Sequence, residues 1–175
     1  ELAARGLRPP ADPVFVEVGA NMGTTTVMAL RRHGFATAVA LEPSPQNLWL
    51  CRLNLVANGL DDRVRLLPFA ASDRAVEMAL VIGGGNRGGH RVLSADSDHP
   101  AQAGSVRSVT LDSLVADGTI DPDRAGLLWC DAAGHDAWRA GLDTGRVGDD
   151  RCVSAGIPRR AAAGRGLAGR GICGR

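Results

Sequence analysis

The chain has 175 residues, of which 45% are hydrophobic, so the composition predicts one globular domain and leaves little room for a second. No run of about 18 apolar residues and no basic-then-apolar leader is present, so the sequence predicts a cytoplasmic protein without a membrane span. The net charge of +1 is unevenly distributed: residues 1–150 hold 19 acids against 14 arginines, and residues 151–175 hold six arginines and no acid. Such a basic segment could contact nucleic acid, but it has no aromatic residue to stack on bases, so nucleic-acid binding is not favoured.

The first elements along the chain alternate between strand and helix. After a proline-containing lead-in loop (1–13), a buried strand is predicted over Val14–Val18, a tight loop over 19–23 and a helix over Thr24–His33. The alternation continues with a strand over Thr37–Leu41, a helix over Gln46–Ala57 that Ser44 is placed to cap, and a strand over Val64–Leu67. This order predicts an α/β fold with a Rossmann-like, doubly wound and mostly parallel sheet.

The middle of the chain follows another pattern. Residues 76–110 predict an inserted flap, with strands over 77–82, 90–94 and 106–110 and the glycine loop "GGGNRGG" at 83–89. A short helix is predicted over Leu111–Val115. A buried strand is then predicted over Gly126–Cys130, ending at Asp131. The predicted domain therefore spans residues 14–141, and the Gly-, Ala- and Arg-rich residues 142–175 form an irregular tail.

The loop after the first strand indicates a cofactor. It does not match the G-x-G-x-x-G fingerprint of dinucleotide-binding proteins; it matches E/D-x-G-x-x-x-G, with Glu17 two residues before Gly19. A carboxylate there would repel a pyrophosphate and suits a cation. S-adenosylmethionine, which carries an ammonium group and a sulfonium, fits this pattern.

A second acid supports a nucleoside ligand. Glu42 ends the second strand 19 positions beyond Gly23, where a carboxylate can accept hydrogen bonds from both ribose hydroxyls. Glu42 alone does not separate S-adenosylmethionine from NAD. The simpler alternative is that Glu17 and Glu42 are strand-end acids near solvent.

Three quoted segments carry a family resemblance. "FVEVGANMGTTTVMAL" (15–30), "ALEPSPQNLWLCRLNLVANGL" (40–60) and "LLWCDAAGHDAWRAG" (127–141) resemble successive motifs of FkbM-type S-adenosylmethionine-dependent methyltransferases. The resemblance covers residues 14 to about 141. It implies a class I methyltransferase fold and transfer of a methyl group to a hydroxyl of a sugar, glycan or secondary metabolite.

The resemblance also implies residue roles. The loop around the methionine part of the cofactor would contain Glu17, Gly19, Ala20, Asn21, Gly23 and Thr24. Glu42, followed by Pro43, would hold the ribose, and Ala70, Ala71 and Ser72, followed by Asp73, would lie beside the adenine. Asp131 and Gly134 would face the methyl group and the acceptor.

A general base would help remove the acceptor's proton, and His135 is the candidate beside Asp131. His135 also reads as a solvent-facing residue at a helix start, and His90 or His99 in the flap are alternatives. Asp96, Asp98 and His99 read more simply as a solvated turn than as a metal site, so no metal is predicted. The cysteines Cys51, Cys130, Cys152 and Cys173 form no C-x-x-C pair, and Trp49, Trp129 and Trp138 are predicted to be packing residues.

The C-terminal part departs from the family. Asp136 stands where the family usually has glutamate, and the match fades beyond Gly141. The fold is therefore predicted to be truncated after the fourth core strand, with an exposed strand edge. A frameshifted reading of GC-rich DNA explains this tail, and a native disordered basic tail is the alternative. The alternatives for function are an inactive remnant that at most binds S-adenosylmethionine, and an NAD-binding module.

Overall fold

A computed structural model of the chain describes residues 10–82, 90–94, 104–131, 146–147 and 151–154. The strands are β1 (Val14–Val18), β2 (Thr37–Leu41), β3 (Val64–Leu67), β4 (Ala70–Ala71), β5 (Glu77–Val81), β6 (Arg91–Ser94), β7 (Gly104–Val109), β8 (Ala125–Asp131), β9 (Arg146–Val147) and β10 (Arg151–Ser154). The helices are α1 (Thr24–Arg32), α2 (Pro45–Ala57) and α3 (Leu111–Ala116), with a 3-10 turn at Asp61–Arg63. Among the helices in these ranges, none has the length and hydrophobicity of a membrane-spanning segment.

The main sheet is Rossmann-like. Within the described residues it has six strands in the order β3-β2-β1-β8-β10-β9, and β3, β2, β1 and β8 all run parallel. Chain order reverses direction between β1 and β8, because β2 and β3 lie on one side of β1 and the later strands lie on the other. This confirms the predicted α/β class and the mostly parallel sheet.

Alternate residues of β1 point to opposite faces of the sheet and build two cores. Val14, Val16 and Val18 pack with β2, β8 and α3 in a cluster that includes Leu111, Leu114 and Leu128. Phe15 faces the other side, where Ala29, Leu30, Cys51 and Leu55 of α1 and α2 cover the sheet. Because helices cover both faces, β1 is buried along its whole length, Glu17 included, as its mostly apolar sequence predicts.

The start of α2 has the predicted capping residue. Ser44 is its N-cap, and the Ser44 hydroxyl accepts a hydrogen bond from the backbone N–H of Asn47 at 3.5 Å. Pro45 occupies the first helical position, where its missing N–H costs nothing. The helix therefore begins one residue earlier than Gln46, the predicted start.

The inserted segment builds a sheet of its own. In the described part of the chain this second sheet has four strands in the order β4-β7-β5-β6. Its strands contribute a small buried core formed by Ala70, Met78, Leu80, Val92 and Val106. The predicted flap thus contains the expected strands, together with β4, and the glycine loop 83–89 lies outside the described residues.

Two expectations differ from the structure. Trp49 was expected to pack in the interior, but it is 62% exposed, because α2 turns Asn47, Cys51 and Leu55 inward and Trp49 outward. Most of residues 142–175, which were predicted to be irregular, lie outside the described residues. The edge of β8 was expected to be exposed. Instead β10 pairs antiparallel with β8 along Asp131 to Leu128, so another strand covers that edge.

Candidate cofactor-binding site

The candidate site lies at one edge of the main sheet. Because β1, β2 and β8 are parallel, their carboxyl ends meet at this edge, next to the reversal of strand order between β1 and β8. Open α/β sheets bind ligands at such a position, since the loops that leave the two neighbouring strands diverge there. Gly19 follows β1, Glu42 follows β2 and Asp131 ends β8 at this edge.

Backbone hydrogen bonds define the shape of the loop between β1 and α1. The N–H groups of Gly19 and Ala20 both donate to the carbonyl oxygen of Leu41 at 2.9 Å, which ties the loop to the end of β2. Gly19, Asn21 and Gly23 all have positive φ, at 84°, 50° and 78°. Glycine and asparagine are the residues that adopt this region most readily, so the sequence Gly-Ala-Asn-Met-Gly suits a tight loop.

Glu42 joins the two loops that border the site. Its Oε2 accepts a hydrogen bond from the backbone N–H of Asn21 at 2.8 Å, and its Oε1 accepts one from the backbone N–H of Ser44 at 2.8 Å. Burial raises the pKa of Glu42, while the hydrogen bonds from Ser44, Asn21 and the Asn47 side chain lower it. A carboxylate has about four lone-pair positions, so Glu42 keeps acceptor capacity for a ligand.

Glu17 lies beneath the loop, where its side chain is 1% exposed. The Thr26 hydroxyl of α1 donates a hydrogen bond to Glu17 Oε2. Burial raises the pKa of Glu17 to about 7, although the hydrogen bonds from Thr26 and Thr25 oppose this shift. Its enclosed carboxyl group anchors the first turn of α1 to β1, and the predicted contact of Glu17 with the ligand's ammonium group stays a prediction.

Some buried polar atoms at this end of the molecule have no hydrogen-bond partner among the described residues. They include Oδ1 of Asn21, an acceptor, and Nε1 of Trp129, a donor. Trp129 lies directly across from Glu17 in the β1–β8 register, on the same face of the sheet. Since buried polar groups are normally paired, such atoms indicate places where a ligand or water completes the structure.

Cys51 closes the floor under the loop. A Cβ built on Gly23 would lie 2.6 Å from Cys51 Sγ, so only glycine fits at the start of α1. Burial, together with the carboxyl groups of Glu17 and Glu42, raises the pKa of Cys51 to about 12. The thiol is therefore uncharged at neutral pH and acts as a small packing group.

The remaining predicted site residues are placed unevenly. Asp131 is exposed at the end of β8 and contributes to the raised pKa of Glu17, and Thr24 is exposed at the start of α1. Pro43 is half-buried between Glu42 and Ser44. His135 and Gly134, like Asp96, Asp98 and His99, lie outside the described residues. Within the described ranges there is no cluster of three metal-ligating side chains.

Residues 70–72 follow β3 at the same edge but belong to the second sheet. β4 pairs with β7, and the Ser72 N–H donates to the carbonyl oxygen of Val109 at 2.9 Å. Ala70 and Ser72 are buried, and Ala71 packs against the core under α3. The side chains are thus used in packing, and the predicted contact with adenine stays a prediction.

Sequence reasoning assigned no role to Thr26 and Asn47, and it named His90 only as an alternative base. Thr26 bonds to Glu17, and Asn47 lies between Glu42 and His90, with Asn47 Nδ2 3.4 Å from His90 Nδ1. Asn47 belongs to the quoted motif "EPSPQN", and that motif was the available signal. The approach of His90 from a position 43 residues away has no local signal.

Comparison with known proteins bears on the chemistry of this site. Over 100 residues the chain is 41% identical to a protein of Halobacterium salinarum described as "Probable cobalt-precorrin-6B C(15)-methyltransferase (decarboxylating)". The chain is similar to a methyltransferase. The aligned segment covers 56% of this chain and 50% of the relative, so the chain spans about half the length of the methyltransferase it matches. No protein-family model matches the chain.

The methyltransferase relative agrees with the Rossmann-like fold. It supports the general prediction of a methyltransferase. It does not extend to the FkbM type or to sugar hydroxyls as acceptors, which stay predictions.

Proposed function

We propose that this chain is the cofactor-binding part of an S-adenosylmethionine-dependent methyltransferase. The observation that carries the proposal is the position of Glu42, whose carboxylate joins the loops after β1 and β2, next to the reversal of strand order between β1 and β8. An acid at the end of the second strand of such a sheet is the usual partner of ribose hydroxyls. The similarity to a methyltransferase supports this function over other nucleoside-binding functions.

The residues at the site fit the cofactor. The loop from Gly19 to Gly23 has no bulky side chain other than Met22 and would surround the methionine part. The unpartnered Oδ1 of Asn21 is an acceptor suited to an ammonium or hydroxyl group, and Glu42 would accept from the ribose. When bound, S-adenosylmethionine supplies a methyl group on a positively charged sulfur.

The contribution of this chain is mainly to orient and to shield. The hydrogen bonds from Gly19, Ala20 and Asn21 hold the loop in one shape before any ligand arrives. Holding reactants in line lowers the barrier because their relative freedom is lost beforehand. Asp131 is exposed at the end of β8, where its carboxylate would accept the proton of an acceptor hydroxyl, and His135 is the second candidate base.

For the acceptor, we propose a hydroxyl of a sugar, glycan or secondary metabolite, as the FkbM-like motifs imply. The relative supports a second candidate: its printed description names methylation at C(15) of a cobalt-precorrin with decarboxylation. The two candidates differ in the nucleophile, an oxygen in one case and a carbon in the other. Transfer of labelled methyl groups to a panel of sugars and to a precorrin would separate them.

Calorimetric titration of the chain with S-adenosylhomocysteine and, separately, with NAD tests the proposal. We expect micromolar binding of S-adenosylhomocysteine that Glu42→Ala abolishes and that Asp62→Asn, at an exposed acid, leaves unchanged. Binding of NAD alone would instead support a dinucleotide-binding module. Binding of S-adenosylhomocysteine without methyl transfer to any acceptor would support an inactive remnant, and a folded chain that binds neither ligand contradicts the proposal.

A further inference from the structure

Asn47 occupies a central position beside the ribose-binding acid. It lies in the first turn of α2, is 3% exposed, and uses its backbone N–H for the Ser44 cap. Its side chain, on the buried face of α2, has two polar neighbours. The Asn47 amide donates a hydrogen bond to the carboxylate of Glu42, and Asn47 Nδ2 lies 3.4 Å from Nδ1 of His90.

The chemistry of the three groups determines the direction of each hydrogen bond. The Asn47 amide nitrogen carries two hydrogens and accepts none, so the Glu42 carboxylate and His90 Nδ1 must both be acceptors. With both amide hydrogens engaged, the Asn47 side chain is held at two points and cannot rotate away from Glu42.

His90 reaches this position from the inserted segment. It immediately precedes β6, which pairs with β5 in the second sheet, and it is half-buried. The contact spans 43 residues of sequence and joins the second sheet to the first turn of α2. The inserted sheet is thereby connected to the acid at the end of β2 through one side chain.

We propose that His90 is a positioning residue of the nucleoside site, which holds Asn47, and through it Glu42, in the orientation that accepts a ribose hydroxyl. The inference rests on the proposed function, because it concerns the same carboxylate. It assigns to the inserted segment a role in cofactor recognition, in addition to any contact with the acceptor. If His90 acts only through Glu42, its replacement should weaken the binding of ligands that carry a ribose hydroxyl and leave the binding of ligands without that hydroxyl unchanged.

The test compares two ligands, S-adenosylhomocysteine and its 2′,3′-dideoxy analogue, by calorimetric titration. We expect His90→Ala to weaken binding of S-adenosylhomocysteine about fivefold, the effect of one modest hydrogen bond, and to leave binding of the dideoxy analogue unchanged. His90→Asn places an amide oxygen close to the position of Nδ1 and should restore most of the affinity. His33→Ala, at an exposed histidine that ends α1, is the matched control.

Asn47→Ala supplies the second measurement. In its background, His90→Ala should have no further effect on binding, because the side chain through which His90 acts is gone. Equal losses for both ligands, or additive losses for the two substitutions, would overturn the positioning role while leaving the proposed function intact. Failure of the unsubstituted chain to bind S-adenosylhomocysteine would overturn the proposed function and this inference together.

Discussion

The backbone N–H of Asn21 donates a hydrogen bond to the carboxylate of Glu42, 21 residues later in the chain, at 2.8 Å. This bond joins the left-handed turn after β1 to the end of β2, and the Glu42 carboxylate also accepts from Ser44. One buried side chain thus orders both loops of the candidate site. The loops are in place before a ligand binds, which lowers the entropy lost on binding.

Replacement of Glu42 by glutamine should therefore loosen both loops. The amide keeps the size of the side chain but offers one acceptor oxygen to the backbone N–H groups of Asn21 and Ser44, and an unpaired buried donor costs about 1–3 kcal/mol. We expect the free energy of unfolding, measured by urea denaturation, to fall by about that amount. Asp62→Asn, at an exposed acid of the 3-10 turn, is the control and should leave it unchanged. A Glu42→Gln variant as stable as the parent would contradict the structural role.

Glu17 should make stability depend on pH. Its pKa is raised from 4.5 to about 7 in the folded chain, so the folded chain binds a proton that the unfolded chain has lost. The resulting stabilisation is fully present below pH 4.5 and disappears as the pH rises through about 7. A displacement of this size corresponds to roughly 3 kcal/mol.

The measurement is the free energy of unfolding at a series of pH values between 4.5 and 8. Glu17→Gln carries no titrating group and should remove the decline over this interval, and its stability should exceed that of the parent chain above pH 7. Parallel curves for the two proteins would show that Glu17 does not titrate with a raised pKa.

Gly23→Ala should destabilise the chain through two effects. An alanine at position 23 would have to keep a φ of +78°, which costs about 1–2 kcal/mol. Its Cβ would also lie 2.6 Å from Cys51 Sγ. Gly118→Ala is a matched control, because Gly118 has a φ of +77° and no atom within 4 Å of the added Cβ. The difference between the two substitutions measures the steric clash alone.

We expect Gly23→Ala to cost about 1–3 kcal/mol more than Gly118→Ala in thermal or urea unfolding. In a Cys51→Ala background, where the sulfur is absent, this excess should disappear. An excess that persists in that background would place the clash elsewhere.

Arg63 fastens the 3-10 turn to the loop before β2. Its Nε and Nη2 donate hydrogen bonds to the carbonyl oxygens of Ala36 and Phe35, both at 2.9 Å. We expect Arg63→Ala to lower the free energy of unfolding by about 1–3 kcal/mol, because it removes two charge-assisted bonds. Arg52→Ala, on the exposed side of α2, should change it by less than about 0.5 kcal/mol. Similar losses for both variants would contradict the assigned contact.

Prediction from sequence was most accurate where the signal is local. The strands Val14–Val18, Thr37–Leu41 and Val64–Leu67 were predicted with the bounds that the structure has, because each is a short apolar run bordered by turn residues. The Ser44 cap was predictable for the same reason, since a cap depends on the few residues that follow it. The inserted strands were found with shifts of one or two residues at their ends.

The interior of the site was less predictable. Glu17 and Glu42 look alike in the sequence, as acids at or near the ends of strands, yet Glu17 lies under α1 and Glu42 joins two loops. Trp49 is a large hydrophobic residue of the type usually found in the core, yet it points outward, because Asn47, Cys51 and Leu55 occupy the side of α2 that faces the sheet.

The sequence by itself determined the order of strands and helices, the tight loop with Gly19 and Gly23, and the acid that ends the second strand. These features depend on periodicity and on backbone preferences that act over a few neighbouring residues. Only the tertiary structure decided that β10 covers the edge of β8, that Glu17 is enclosed by Thr26, and that Asn47 meets His90. Each of these contacts forms only when packing brings together elements that are distant in the sequence. Local residue preferences do not indicate which distant residues will come into contact.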